Sequence, residues 1–315
     1  MSVLLLTHPA CRAHDPGPGH PESPARLGAI GDQLIATGLE LILQHVEAPE
    51  ATREQLLRVH TPTYLDALDA ASPVAGYAAL DADTTLSPGS LEAARHAAGA
   101  VVAAVDRVIA GPVRRAFCAV RPPGHHAEPG RAMGFCLYNN IAIGAAHALA
   151  AHGLARVAIV DFDVHHGNGT EAAFGNEPRV LLCSTFEHPL YPYSGADTRS
   201  EHIVNVPLPA GTDGVAYRDA FASRVLPALE DFAPEVVFVS AGFDAHRDDP
   251  LAHLALIEAD YDWITRRLVE VAERHAGGRL VSALDGGYAL PALARSVAAH
   301  VKALLEYAPV SPDRA

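Results

Sequence analysis

Eight short runs rich in β-branched residues recur along this chain, with longer stretches of helical periodicity between many of them. The runs are Val3–Thr7, Leu41–Val46, Ala116–Val120, Val157–Phe162, Val180–Thr185, Ile203–Leu208, Val236–Ser240 and Leu280–Leu284. Several are continuously apolar rather than alternating, the pattern of strands covered on both faces. The amphipathic stretches are Pro24–Ala36, Ser90–Ile109, Asn139–Ala151, Tyr217–Leu229, Glu258–His275 and Leu290–Leu305. This alternation predicts an α/β fold on a mostly parallel sheet. No Pro/Gly/Ser-rich linker and no long repeat divides it, so residues 1–315 read as one domain.

In open parallel sheets, ligands bind beyond the carboxyl ends of the strands. Polar clusters follow four of the runs. Ala116–Val120 leads into Arg121-Pro-Pro-Gly-His125-His126, and Val157–Val160 into Asp161-Phe-Asp163-Val-His165-His166-Gly. Val236–Ser240 leads into Ala-Gly-Phe-Asp244, and Leu280–Leu284 into Asp285-Gly-Gly-Tyr288. One shared site at four strand ends is the expectation.

Composition narrows what that site meets. The chain has 315 residues, 49% of them apolar, enough for a large core. Its 23 basic and 37 acidic side chains give a formal charge of −14, which disfavours nucleic acid and anionic membranes and attracts cationic substrates. The four cysteines, Cys11, Cys118, Cys136 and Cys183, form no CxxC pair and read as thiols in a reducing cytosol. The first residues lack the charged n-region of a signal peptide. No run reaches the ~18 apolar residues of a membrane span. A cytoplasmic protein is expected.

Asp161-x-Asp163-x-His165 carries the chemistry. In an extended segment alternate residues point the same way, so all three share a face just past a strand. A lone Asp there would read as a helix cap. Two carboxylates and a histidine together read as metal ligands. A catalytic zinc site needs three protein ligands and an open position; Asp163, His165 and Asp244 supply the three. The tandem His125-His126 follows a Pro-Pro-Gly turn and reads as a proton-transfer pair, since imidazole titrates near neutrality. Asp161 can hold one ring by a hydrogen bond. Tyr288, after two glycines, can donate to an oxyanion. His20-Pro-Glu-Ser-Pro-Ala-Arg26 reads as a structural turn into a helix. His45, His96, His147, His253, His275 and His300 show no partner pattern.

These residues resemble the histone deacetylase family in the broad sense, which includes acetylpolyamine amidohydrolases. The resemblance runs from His8 to about Val301, through His20-Pro-Glu-Ser-Pro-Ala-Arg-Leu27, Arg121-Pro-Pro-Gly-His-His-Ala127, Met133-Gly-Phe-Cys-Leu-Tyr-Asn-Asn140, Asp161-Phe-Asp-Val-His-His-Gly-Asn-Gly-Thr170, Ala241-Gly-Phe-Asp244 and Asp285-Gly-Gly-Tyr288. It implies a three-layer α/β/α arginase-deacetylase fold with an eight-stranded, mostly parallel sheet. It implies one Zn²⁺ on Asp163, His165 and Asp244, a donor set that also suits Fe²⁺. His126 would be the general base and acid, His125 its companion with Asp161 as partner, and Tyr288 the group that polarises the acyl oxygen. Gly134, Phe135, Tyr191, Leu251 and Gly286 would line the acyl tunnel, and Asp83 would stand at its rim. Structural K⁺ would lie at Asp161, Asp163, His165, Ser184 and Thr185, partly on backbone carbonyls.

Two departures inside the family pattern matter. Asn168 stands where one branch carries Asp, as in the class II branch, so it would partner His126 without a negative charge. Leu251 stands where polyamine-selective members place Glu, which favours acylated lysine over acetylpolyamines or other small acyl-amines. Ureohydrolases of the same fold bridge two metals, but Gly242 stands where their second carboxylate is needed. A non-enzymatic binding module is disfavoured because every catalytic position holds a competent residue. The sequence leaves the oligomeric state open.

Overall fold

The computed structural model describes residues 2–306. Ten strands run in chain order: β1 (Val3–Thr7), β2 (Gln44–Glu47), β3 (Ala78–Ala79), β4 (Thr85–Leu86), β5 (Arg115–Cys118), β6 (Val157–Asp161), β7 (Val180–Glu187), β8 (Ile203–Leu208), β9 (Val236–Ala241) and β10 (Leu280–Leu284). The helices are α1 (Ala25–Ala36), α2 (Arg53–Leu56), α3 (Pro62–Ala71), α4 (Ser90–Ala110), α5 (Asn140–His152), α6 (Asn168–Phe174), α7 (Gly214–Ala220), α8 (Leu226–Phe232), α9 (Glu258–His275) and α10 (Leu290–Leu305). β3 and β4 pair alone, as a small antiparallel ribbon.

The other eight strands form one parallel sheet in the order β2-β1-β5-β10-β9-β6-β7-β8. Helices cover both faces, as the continuous apolar strands require. β5, β6, β9 and β10 are buried along their whole length. The helix layers explain this: α4 lies over β1, β5 and β10, α5 over β6 and β9, while α9 and α10 pack together beside α1. The architecture is the three-layer α/β/α arginase-deacetylase arrangement. The four strands whose ends carry polar clusters, β5, β10, β9 and β6, are consecutive at the centre of the sheet. Their loops therefore meet at one place.

Tyr217–Leu229, expected as one helix, is α7 and α8 joined by a wider turn, Phe221–Val225. There the N–H of Leu226 reaches five residues back to the carbonyl of Phe221. Pro227 follows and has no N–H to continue the regular ladder. The run Leu41–Val46 is also shifted: Leu39–Ile42 is a 3₁₀ turn and the strand begins at Gln44. α3 begins at Pro62 with Thr61 capping the Tyr64 N–H at 3.3 Å, a start that the apolar periodicity alone did not mark.

A buried histidine ties these loops together. His60 Nε2 accepts the Asn139 N–H at 3.0 Å, so its Nδ1 carries the proton and donates to the Glu128 carbonyl at 3.1 Å. Burial lowers its pKa to about 4. A base whose folded pKa is depressed contributes stability above its unfolded pKa, about 6.5, and loses it as pH falls toward the folded value. Between pH 6.5 and 4 the loss from His60 alone is about 3 kcal/mol. Urea unfolding at pH 7, 5.5 and 4 should show that decline in the wild type and a flatter course in His60→Gln, whose amide can make both bonds. Parallel curves would refute the assignment.

Candidate active site

Asp161, the last residue of β6, lies level with Ser184 of β7 and Ser240 of β9. Just beyond, Asp163, His165 and Asp244 converge, with one ligand atom of each within 4.8 Å of the others. His165 Nδ1 is 3.0 Å from Asp163 Oδ1 and 3.2 Å from Asp244 Oδ2. Both carboxylates are fully buried. Backbone N–H groups hold their remaining oxygens: Gly286 donates to Asp163 Oδ2 at 2.8 Å, and Val164 to Asp244 Oδ1 at 2.9 Å. Apart from that contact with His165, Asp244 Oδ2 has no hydrogen-bond partner, a costly condition for a buried carboxylate oxygen.

The electrostatics fit a cation. Burial, then the charge on Asp163, pushes Asp244 up to about 7, while the neighbouring histidines hold Asp163 low against its own burial. Burial opposes charge on His165 too, yet the two carboxylates raise it to about 10. Two carboxylates this close do not readily ionise together without positive charge between them. Two glycines make the space. A Cβ on Gly242 would fall inside the Asp163 carboxylate, and one on Gly286 inside that of Asp244. Oxygen and imidazole donors with one oxygen unsatisfied are what a divalent ion of the zinc type takes.

The histidine pair stands beside this cluster, its ring centroids 4.0 Å apart. His125 Nδ1 donates to Asp161 Oδ2 at 2.9 Å. His126 Nδ1 meets Asn168 Oδ1 at 2.8 Å. Burial disfavours charge on both rings, and their neighbours then separate them. Asp163, Asp161 and Asp285 raise His125 well above the ordinary range. The charges of His125 and His165 add to burial at His126 and lower it. The loop is anchored from β10: Asp285 Oδ1 accepts the N–H of Gly124 at 2.7 Å and of His125 at 3.2 Å.

A cavity of ≈ 240 Å³ opens onto these groups, walled by Gly134, Phe135, Tyr191, Leu251 and Tyr288, with Asp83 at its edge. His126 and His165 form its floor. Phe135 (φ 68°) and Gly134 (φ 55°) both turn left-handed. Asp83 Oδ1 accepts the Gly134 N–H at 3.1 Å, and Thr84 Oγ1 the Phe135 N–H at 3.1 Å, which holds that turn. A Cβ on Gly134 would enter the His126 ring. Gly286, expected in the tunnel wall, is not among the residues lining this cavity; it lies against the Asp163 and Asp244 carboxylates. Burial raises the Tyr288 phenol well above its ordinary value, so it keeps its proton.

A histone deacetylase domain model matches residues 20–304. A histone deacetylase-like amidohydrolase of Pseudomonas aeruginosa is 44% identical over 277 residues, 86% of this chain and 73% of that protein. The chain belongs to the histone deacetylase family. A probable deacetylase of Archaeoglobus fulgidus is 38% identical, covering 92% of this chain and 82% of its own length. The crystal structure of the HDA15 HD domain superposes with a TM-score of 0.91 at 37% identity, covering 96% of this chain and 89% of that one. As a member of this family the chain is a hydrolase of the deacetylase and amidohydrolase type.

Several residues that shape this deacetylase-family site escaped sequence reading. Asp249 accepts the N–H of Tyr288 at 2.7 Å and of Leu251 at 3.0 Å, joining two walls of the cavity. Arg26 donates to the carbonyls of Gly287 (2.8 Å) and Asp285 (2.5 Å), its guanidinium 5.0 Å from the Tyr288 ring centre. No spacing links Arg26 to residues some 260 positions away. Asp106, His147 and His152 form a second cluster. There Asp106 Oδ1 accepts from both rings at 2.8 and 2.7 Å. Arg58 donates to His147 Nδ1, which keeps the proton on Nε2. That cluster is a closed hydrogen-bond network rather than a cation cage. Among the described residues no helix is long and apolar enough to cross a membrane.

Proposed function

We propose that this chain is a zinc-dependent deacetylase that hydrolyses the amide of acetylated, or otherwise acylated, lysine side chains to free amine and carboxylate. The observation that carries the reading is the cavity whose floor joins His126 to the Asp163–His165–Asp244 cluster. Those three residues would hold one Zn²⁺, which when bound supplies Lewis acidity to the acyl carbonyl and to water. His126, its Nδ1 donating to Asn168, presents Nε2 to take the proton of the attacking water and return it to the departing amine. His125, charged beside Asp161, stabilises the negative charge that develops. Tyr288 donates its retained phenol proton toward the acyl oxygen. Phe135 and Tyr191 flank the alkyl chain, and the half-buried Asp83 stands at the rim.

K⁺ is assigned to Asp161, Asp163, His165, Ser184 and Thr185. Ser184 Oγ is buried without a hydrogen-bond partner, and Thr185 Oγ1 lies 3.4 Å from the Asp161 carbonyl. Four free, buried cysteines suit the cytoplasm we assign. Apolar Leu251 in the wall favours acyl-lysine over acetylpolyamines. The test compares kcat/KM for acetyl-lysine peptides and N-acetylated polyamines, before chelation, after it, and after Zn²⁺ is restored. Peptides should be preferred, activity should vanish and return, and Asp244→Ala should stay inactive. Activity that survives both chelation and Asp244→Ala would end the proposal.

A further inference from the structure

For His126 to accept a proton from the cavity, its Nε2 must be free, so Nδ1 must carry the hydrogen. The Asn168 amide decides this. Its oxygen and nitrogen have nearly the same shape. A flipped amide would present N–H to His126 Nδ1, move the proton to Nε2 and remove the base. A carboxylate at this position could not make that error; an amide needs something to orient it.

The surroundings of Asn168 Nδ2 supply the orientation. Glu128 Oε1 accepts from it at 2.8 Å, and Met133 Sδ, a weak acceptor, lies 3.3 Å away. Both neighbours accept and neither donates. A flipped amide would set its oxygen against a carboxylate. Glu128 is itself fixed at the backbone: its N–H donates to the Arg131 carbonyl at 2.9 Å, and its carbonyl accepts from His60 Nδ1 at 3.1 Å. It lines a neighbouring groove of ≈ 560 Å³ and is not among the residues that line the acyl cavity.

We propose that Glu128 is a positioning residue for deacylation, which orients the Asn168 amide and so sets the tautomer of His126. The inference rests on His126 as the proton-transfer group. Its test is a double-mutant cycle with a spectroscopic arm. Glu128→Ala should lower kcat by about 10–100-fold, the usual cost of losing such an outer partner, with KM unchanged. In an Asn168→Asp background the same replacement should not lower kcat, because a carboxylate needs no orienting and the change removes a like charge beside it. Glu128→Gln, which keeps an acceptor oxygen, should recover part of the loss. An equal loss in both backgrounds, or none in the wild type, overturns the proposal. ¹⁵N spectra of imidazole-labelled, metal-loaded protein, with His126 assigned by His126→Gln, should show the Nδ1–H tautomer in the wild type and a mixture in Glu128→Ala. An unchanged tautomer overturns it as well. The spectrum needs no turnover, so it judges Glu128 even if the deacylase reading itself fails.

Discussion

Replacing His126 with glutamine should lower kcat by about 10²–10⁴-fold, the range for loss of a general acid–base group, while KM and bound metal should stay as in the wild type. The ring is buried against Gly134 and Tyr191, whose ring centre lies 5.2 Å away at 83°. Glutamine fills much of the same space, and its amide N–H can still donate to Asn168 Oδ1. The lost feature is an imidazole lone pair that can take a proton from water, which an amide lacks. Burial and the charge of His125 keep the wild-type ring neutral there, so the base is available without first losing a proton. Steady-state kinetics with metal analysis of the same sample check the claim. A loss under tenfold would hand the proton transfer to His125, and a loss of metal would show that the change damaged the cluster instead.

What the sequence disclosed, and what it hid, follow one physical line. β1, β8, β10, α9 and α10 have the boundaries that periodicity predicts, because each is a regular element whose pattern is set by its own neighbours in the chain. The convergence of Asp163, His165 and Asp244 was legible because they stand in two short motifs at strand ends, and parallel strands bring such ends together. The family resemblance added the cavity walls. Partners that act across the fold were not legible. Asp249 has no motif, yet it joins Tyr288 to Leu251. Glu22 and Arg26 sit in a segment that reads as a turn into a helix, while their distant partners lie beyond β5 and beyond β10. A buried charge leaves no trace in local periodicity; its meaning depends on which distant charge arrives beside it.

Glu22→Gln destabilises the protein by about 3–5 kcal/mol, the cost of removing one partner from a buried ion pair. Glu22, Arg26 and Arg121 are each fully buried. Glu22 accepts from Arg121 through both oxygens, one at 2.7 Å, and its Oε1 lies 3.2 Å from Arg26 Nη1. His14 Nε2 is 3.4 Å from Oε2. Burial would raise the carboxyl pKa, but Arg121 and His14 outweigh it and hold Glu22 well below the usual carboxylate range. A carboxyl with a depressed folded pKa adds stability above its unfolded pKa, about 4.3, and loses it as pH falls through the folded value. The gap between wild type and Glu22→Gln in urea unfolding should therefore be full at pH 7 and narrow below about pH 4, lower than the His60 window. A difference under about 1 kcal/mol at pH 7 would mean that the two guanidinium groups find enough partners without Glu22. Arg121 also donates to the carbonyls of Cys11 (2.9 Å) and His14 (3.1 Å), so its geometry is held apart from the ion pair. Arg26 makes one bond to Glu22, and it fixes the carbonyls of Asp285 and Gly287 on either side of the glycine beneath the carboxylate cluster. The same change should therefore weaken metal retention in the folded protein, because the charge that stabilises the fold also sets the loop on which Tyr288 and Gly286 stand.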